Sequence, residues 1–450
     1  MEVPVRARYG AQTARALENF PISGLRPHPA YVDATVLVKL AAAQVNARLG
    51  LLPRRKAAAI ARAAREILAG EHREHFVVDV YQAGAGTSHH MNVNEVLAHR
   101  ANELLGGPEG KARVHPNDDV NLAQSTNDVV PTAIRLAALR LAPSVVEALE
   151  GLTLTLTGKA REWQGVVKAG RTHLMDATPI RLGQEVSGWA AALAAAAGRI
   201  RASLPELRLL GLGGTAVGTG LNADPRYARL AAAELSRLTG ERLRPAENLF
   251  YAMQSLAPFV ALGGALRAAA LELLRIGGDV RLLGSGPGTG LGELRLPPVQ
   301  PGSSIMPGKV NPSMAEMLAM VSYQVVALDG AIAWAASGGQ LELNVMMPLV
   351  AFDLCHALDI LAAAVRAFDR RCASGLEADA ARCRAYAERT VSLATALAPR
   401  IGYAAAAEVV KASLESGRPV SALAVERAGL SPAEAARLLD PARLTRPGRA

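Results

Sequence analysis

Residues 299–317 read VQPGSSIMPGKVNPSMAEM. Ser303 and Ser304 follow a glycine, a Met-Pro-Gly turn leads to Lys309, Asn311 and Pro312, and Met314, Met317 and Met320 then recur at helical spacing around Glu316. A polar, cationic loop directly before an apolar helix is suited to binding rather than packing. Three more segments offer the same kind of group: Thr87 and Ser88 in GAGTSHH, Ser125, Thr126 and Asn127 in QSTND, and Thr172 and His173 in GRTHLMDATP. Many neutral donors with one fixed cation suit a small anion such as a carboxylate. The chain has seven lysines against forty-two arginines, so Lys309 is a compact ammonium where guanidinium is the default base. Taken singly, each residue also has a structural reading: Ser125–Asp128 as a helix cap and Ser303 as a turn residue.

Other chemistries lack their motifs. There is no G-x-x-x-x-G-K-[ST] loop, and the glycines at 211–220 and 284–292 do not match G-x-G-x-x-G after a strand. There is no H-E-x-x-H, and the adjacent His89 and His90 point apart on a helix, so neither a metal nor another cofactor is expected. No G-x-S-x-G frames a serine. Cys355, Cys372 and Cys383 form no paired framework, which suits a reduced, cytoplasmic protein. The start MEVPVRARYG lacks a signal-peptide apolar region.

The elements that must position these groups are helices. Half of the 450 residues are apolar, aromatics are only 4%, and alanine and leucine dominate, which favours an all-α fold. The balance is basic, 49 Lys+Arg against 40 Asp+Glu, but acids are mixed among the arginines and no nucleic-acid module is visible. The most membrane-like run, 186–198, is shorter than the ~20 residues a span requires, so no membrane partner is expected. Residues 1–30 read as loop, and helical patterns run over 31–50 and 53–70. A glycine-rich loop at 81–86 becomes a helix ended by Gly106 and Gly107, and another helix begins near Pro131. Polar loops at 115–128, 170–179, 210–222 and 284–312 alternate with long apolar stretches at 180–203, 254–282 and 312–336. Helices apolar all round need burial on all sides, so a homo-oligomeric bundle is expected. The chain divides into residues 1–123, a central long-helix segment 124–382, and a small helical segment 383–450.

The stretch GSSIMPGKVNP (302–312) resembles the signature of the fumarase/aspartase superfamily of lyases. YGAQTARALENFPISG (9–24), NEVLAHRANELLGG (94–107), QSTNDVVPTA (124–133), GRTHLMDATP (170–179), GGTAVGTGLN (213–222) and GQLELNVMMP (339–348) resemble family blocks in family order. The resemblance implies a three-domain, mostly helical subunit and a homotetramer around a central bundle, with each active site built from three subunits. It implies a small dicarboxylate substrate and catalysis by Ser303, His173 and Glu316. Ser303 takes a proton from carbon beside a carboxylate, making an aci-carboxylate whose charge needs preorganised donors. Lys309, Asn311 and Thr172 hold one carboxylate; Thr87, Ser125, Thr126 and Ser304 hold the other. Asn127 and His173 face the leaving group, and Glu316 partners His173.

The family's branches differ in that leaving group. VHPNDDVN (114–121) resembles fumarases, in which His115, Pro116, Asn117 and Asp118 would shape a second dicarboxylate site. GAGTS, Thr126, LPPVQPGSS and GQLELNVMMP lean towards aspartases, so the favoured reading is aspartate ammonia-lyase, with fumarate hydratase as the alternative. A catalytically inactive binding scaffold is remote, because Ser303, Lys309 and His173 are all present. His90 stands where the family usually has asparagine, and Gly288 where it usually has arginine.

Overall fold

Alanine and leucine give long helices because they lose little side-chain freedom on a helix. The computed structural model describes residues 3–4, 6–106 and 114–448. Five helices carry the bundle character: Thr126–Glu162, Leu182–Leu207, Ala257–Leu283, Ser313–Ser337 and Met347–Arg371. The protein is all-α, and the strands described are short pieces in two-stranded ladders. Gly107 lies outside the described residues; Gly106, at φ 65°, follows the helix Thr87–Leu104.

Two compact units share these helices. One comprises Met1–Glu147, Ala196–Ala270 and Val321–Ala362; the other comprises Ala148–Ala195, Leu271–Met320 and Ala363–Ala450. In the first unit, Val36, Ile60, Ile67, Val93 and Leu97 belong to a core built by the helices Pro29–Arg48, Arg54–Leu68 and Thr87–Leu104. In the second, Leu397, Val409, Leu423 and Leu438 form a core among short helices from Val391 to Leu438.

Four local expectations are corrected. Residues 1–30 contain a helix, Ala11–Asn19. Its free N-terminal amides are satisfied by a distant carboxylate: Glu95 accepts from the backbone of Gly10 (2.8 Å), Gln12 (2.9 Å) and Thr13 (3.1 Å), and from the Thr13 hydroxyl (2.6 Å). Such a cap leaves no local sequence signal. The helix expected near Pro131 starts at Thr126 and carries Pro131 inside it. A reciprocal cap starts it early: Ser125 Oγ accepts from Asn127 N (3.3 Å), and Asp128 Oδ1 accepts from Ser125 N (2.9 Å). The 170–179 segment lies within an antiparallel hairpin, Val167–Thr172 with Met175–Arg181.

The fourth concerns the most membrane-like run. Among the described residues four helices, at 126–165, 257–283, 313–337 and 347–375, are long and apolar enough to cross a membrane by length and composition. Their sparse charges hide them from a search for unbroken apolar runs. On Ser313–Ser337, Met320, Tyr323 and Trp334 are exposed at 64%, 61% and 80%, a stripe at helical spacing that needs a cover.

Removing the Glu95 carboxylate leaves three amide donors and a buried hydroxyl without their acceptor. Glu95→Ala should lower unfolding stability by about 3 kcal/mol, and Glu95→Gln by less. Urea unfolding followed by circular dichroism measures both; equal midpoints for wild type and Glu95→Ala would remove the cap from the account.

Candidate active site

The first unit gathers donors at two helix starts. The helix Thr87–Leu104 leaves a turn in which Gly86 has φ 96° and lies against Val130, so a side chain there would be strained and crowded. Thr87 Oγ1 donates to Gly84 O (2.6 Å) and lies 3.3 Å from Thr126 Oγ1, at the start of Thr126–Glu162. Ser125 caps that second helix and Asn127 Nδ2 donates to Ala216 O (2.7 Å). Thr87, Ser125, Thr126 and Asn127 therefore share one region, where two helix N-termini favour an anion.

Two buried groups tie this region down. Asp128 Oδ2 accepts from the backbone of Gly213 and Thr215, both at 3.0 Å, fixing the 213–222 loop. Burial raises the Asp128 carboxyl to about 6 despite these donors. Behind Thr126, His90 Nδ1 lies 2.8 Å from its hydroxyl, and Lys39 Nζ contacts His90 Nε2, Asn121 Oδ1 (3.0 Å) and Gln124 Oε1 (2.9 Å). Lys39 and His90 are missing from the candidate residues read from sequence. The available signal was a lysine inside the apolar helix VLVKLAAA of an arginine-rich chain.

In the same unit, His115 precedes the π-helical turn Pro116–Val120. Its Nδ1 accepts from Asp118 N (3.2 Å), and its backbone N–H donates to Asp119, which pairs with Lys56. His115 and Asp118 are exposed while Asn117 and Pro116 complete the turn. Glu66, Glu71 and His72 converge closely enough for a cation, but Glu66 already takes Arg100 at 2.6 Å.

The second unit holds the remaining candidates. In the hairpin, Thr172 pairs with Met175, leaving His173 and Leu174 as a two-residue turn at φ 57° and 61°. Such turns favour Asn and Gly. Here they carry two larger side chains, whose strain costs on the order of 1–3 kcal/mol each. The turn presents His173 to solvent, with Leu174 and Met175 exposed beside it. The base of the hairpin is tied by buried charges. Glu293 accepts from Arg171 Nη1 at 2.9 and 3.0 Å and lies 3.3 Å from Lys168, which also donates to Glu185 at 3.0 Å. Burial pushes the Glu185 carboxyl up, opposed by Lys168. Arg171, Lys168 and Glu293 are further positioning groups that sequence reading did not select.

The signature loop closes on itself. Gly302 N donates to Lys309 O (2.9 Å), and Asn311 Nδ2 donates to Gly302 O (2.7 Å). Ser303 Oγ accepts from two backbone amides, Ile305 N (3.2 Å) and Met306 N (3.0 Å). Two N–H donors on one hydroxyl oxygen favour its ionised form. Ser304 and Lys309 are exposed, as are Ile305, Met306 and Val310. Glu316, in the first turn of Ser313–Ser337, lies 3.8 Å from Arg281.

Family profiles match most of the chain: one described as "Lyase" over residues 1–327 and one described as "Fumarase C C-terminus" over residues 393–446. A fumarate hydratase class II from Halobacterium salinarum is 50% identical over 449 residues, covering 100% of this chain and 96% of that protein. An aspartate ammonia-lyase from Pseudomonas aeruginosa is 45% identical, covering 99% and 95%. The crystal structure of a recombinant class II fumarase from Schistosoma mansoni superimposes with a TM-score of 0.96 at 37% identity, covering 99% of this chain and 97% of that one. Fold and profiles together define a helical lyase. The chain belongs to the fumarase/aspartase superfamily.

The raised Asp128 carboxyl has a pH consequence. Native protein holds this proton more tightly than unfolded chain, whose aspartates titrate near 4. The Asp128 contribution therefore falls as pH rises from about 4 to about 6 and is level above. Relative to Asp128→Asn, wild type should lose about 3 kcal/mol over that window, measured by urea unfolding at several pH values. A constant difference would mean that Asp128 titrates normally.

Proposed function

We propose that this lyase is a fumarate hydratase, interconverting L-malate with fumarate and water, and that it works as a cytoplasmic homotetramer on a small dicarboxylate. The observation that carries this reading is His173 at the tip of its strained turn. Hydroxide is a poor leaving group and needs a proton donor, whereas an amine leaves as ammonia without strong acid help. A histidine held out at a cost in backbone strain fits the first need. The identity of 50% with a fumarate hydratase, against 45% with an aspartate ammonia-lyase, points the same way.

This reverses the preference drawn from sequence. GAGTS contributes turn glycines and the Thr87 hydroxyl, and Thr126 offers the same hydroxyl a serine would. Those features concern the carboxylate region that both reactions need. Aspartate ammonia-lyase remains the second reading, supported by the similar relative and by GQLELNVMMP.

In the forward direction Ser303 takes the proton from carbon beside a carboxylate. Its two amide donors favour the alkoxide that can accept it. The electron pair moves into that carboxylate, and Thr87, Ser125, Thr126 and Ser304 stabilise the resulting charge. Lys309, Asn311 and Thr172 hold the other carboxylate. The C–O bond then breaks and hydroxide leaves as water with a proton from His173, supported by Glu316. His115–Asp118 are a second place for a dicarboxylate.

Assembly completes the site in this reading. The Ser125–Asn127 region, the His173 hairpin and the 302–312 loop come from three copies. The exposed stripe Met320, Tyr323 and Trp334 and the exposed tips Leu174 and Ile305 supply apolar surface for those copies to cover. Three free, buried cysteines suit a reducing compartment.

Purified protein should consume fumarate, followed by absorbance, equally well with and without ammonium. Consumption only with ammonium would establish the ammonia-lyase reading instead. Ser303→Ala should lower kcat by more than about a hundredfold with assembly intact. Retention of a tenth of wild-type kcat would remove Ser303 as the base. Co-refolding equal amounts of His173→Ala and Ser303→Ala chains should restore activity, because random mixing leaves about a quarter of sites with both residues intact when they come from different copies. No recovery in well-mixed hybrids would defeat the shared site.

A further inference from the structure

The buried pair behind Thr126 has a direction built into it. Lys39 is fully buried on the helix Pro29–Arg48, and His90 is 1% exposed on Thr87–Leu104. Thr126 is half-buried and Thr87 exposed, so the chain of contacts runs from the core outward. Neighbouring carbonyls orient the two amides facing Lys39. Gln124 Nε2 donates to Val120 O (3.1 Å) and Leu122 O (3.0 Å), and Asn121 Nδ2 donates to Gln124 O (3.3 Å). Their oxygens therefore face Lys39 Nζ, which donates to both. What remains on that nitrogen, a third proton or a lone pair, faces His90 Nε2.

A neutral imidazole has one N–H, so the two cases have opposite consequences. With Lys39 as ammonium, His90 Nε2 accepts and Nδ1–H donates to Thr126 Oγ1. The Thr126 proton is then free to point outward. With Lys39 as amine, His90 Nε2–H donates to it, Nδ1 takes the Thr126 proton, and Thr126 presents lone pairs to any anion.

We propose that Lys39 and His90 are positioning residues that set the hydrogen-bond direction of Thr126, with Lys39 as ammonium turning the Thr126 hydroxyl proton towards a bound carboxylate. This rests on the reading in which Thr126 holds a substrate carboxylate. The surrounding groups support it. Burial and Lys39 push the His90 imidazolium well down, so the ring stays neutral. Burial lowers His89, stacked on Tyr31, to about 3, so it adds no charge. Burial also lowers the Lys39 ammonium, but Asp128 opposes that and a bound carboxylate would oppose it further. The buried Tyr227, which faces Asp128, stays protonated because burial raises it. Asparagine carries both an acceptor oxygen and an N–H, so His90→Asn keeps the relay's two ends.

Succinate, a saturated dicarboxylate, is the probe, as a competitive inhibitor of fumarate hydration. His90→Leu should raise its inhibition constant and the KM at least tenfold, and His90→Asn should restore both to within about threefold of wild type. Lys39→Met should match His90→Leu. It should also lose the rise of the inhibition constant as pH climbs through the lowered Lys39 pKa, which wild type and His90→Asn retain, because the ammonium is required below that pKa and lost above it. Circular dichroism and sedimentation identify any variant that fails to fold or assemble. Active wild type with unaffected His90→Leu, or folded His90→Asn and His90→Leu equally weakened, overturns the inference while leaving the functional reading standing. Wild type that neither hydrates fumarate nor binds succinate overturns the functional reading, and the inference with it.

Discussion

The long helices have almost no polar face, and that constraint places everything else. The body of a helix such as Ser313–Ser337 is mostly apolar and must be covered, and its buried Asp329 is paired with Arg267 at 2.6 Å. The candidate segments accordingly precede helix starts: GAGTS before Thr87–Leu104, QST at Thr126–Glu162, GRTHLMDATP before Leu182–Leu207, and the signature loop before Ser313–Ser337. The N-terminal end of a helix has unpaired N–H groups and positive partial charge. An architecture that expels polarity to those ends is predisposed to bind carboxylates, and the loops add the hydroxyls, imidazole and ammonium that chemistry requires.

Two of the six lysines among the described residues are buried, and each braces one of these segments. Lys39 lies behind Thr126 through His90. Lys168 lies under the His173 hairpin with Glu185 and Glu293. Burying a charge is costly unless its hydrogen bonds are all satisfied, so such groups are better evidence of positioning than of stability. Gly170 sits at a bulge where a side chain would collide with the Thr178 carbonyl, and Arg171 reaches Glu293 beside it. The rigid base allows the tip to hold His173 and Leu174 in left-handed conformations that a free hairpin would relax.

Much of this was readable in the chain itself. Alanine-leucine runs marked 180–203, 254–282 and 312–336 as helices, and the structure moves their ends by only a few residues. The signature marked the loop, and Ser125–Asp128 serves both as the helix cap and in the donor region. The misses share a cause, which is partners far away in sequence. Ala11–Asn19 depends on Glu95, and the hairpin depends on Glu293. Pro131 is tolerated inside a helix whose start is fixed by Asp128 and the 213–215 backbone. His90 looked only like a departure from family pattern, since its meaning requires Lys39, fifty-one residues earlier.

The preference for one branch over another has the same physical root. Both reactions remove a proton beside a carboxylate, and the proposed reading assigns that shared half of the chemistry to the helix starts, to Thr172 and to the signature loop. The half that differs is the leaving group, whose demand the proposed reading assigns to His173. Residues such as Thr126 and the GAGTS turn vary within the shared half, where one hydroxyl can replace another. They therefore say little about which bond breaks. Whole-chain similarity behaves alike, since 50% and 45% identity mainly compare scaffolds. In the proposed reading a single imidazole, held out on a strained turn with buried charges at its base, bears more weight than either, because a departing hydroxide needs a proton donor and departing ammonia does not.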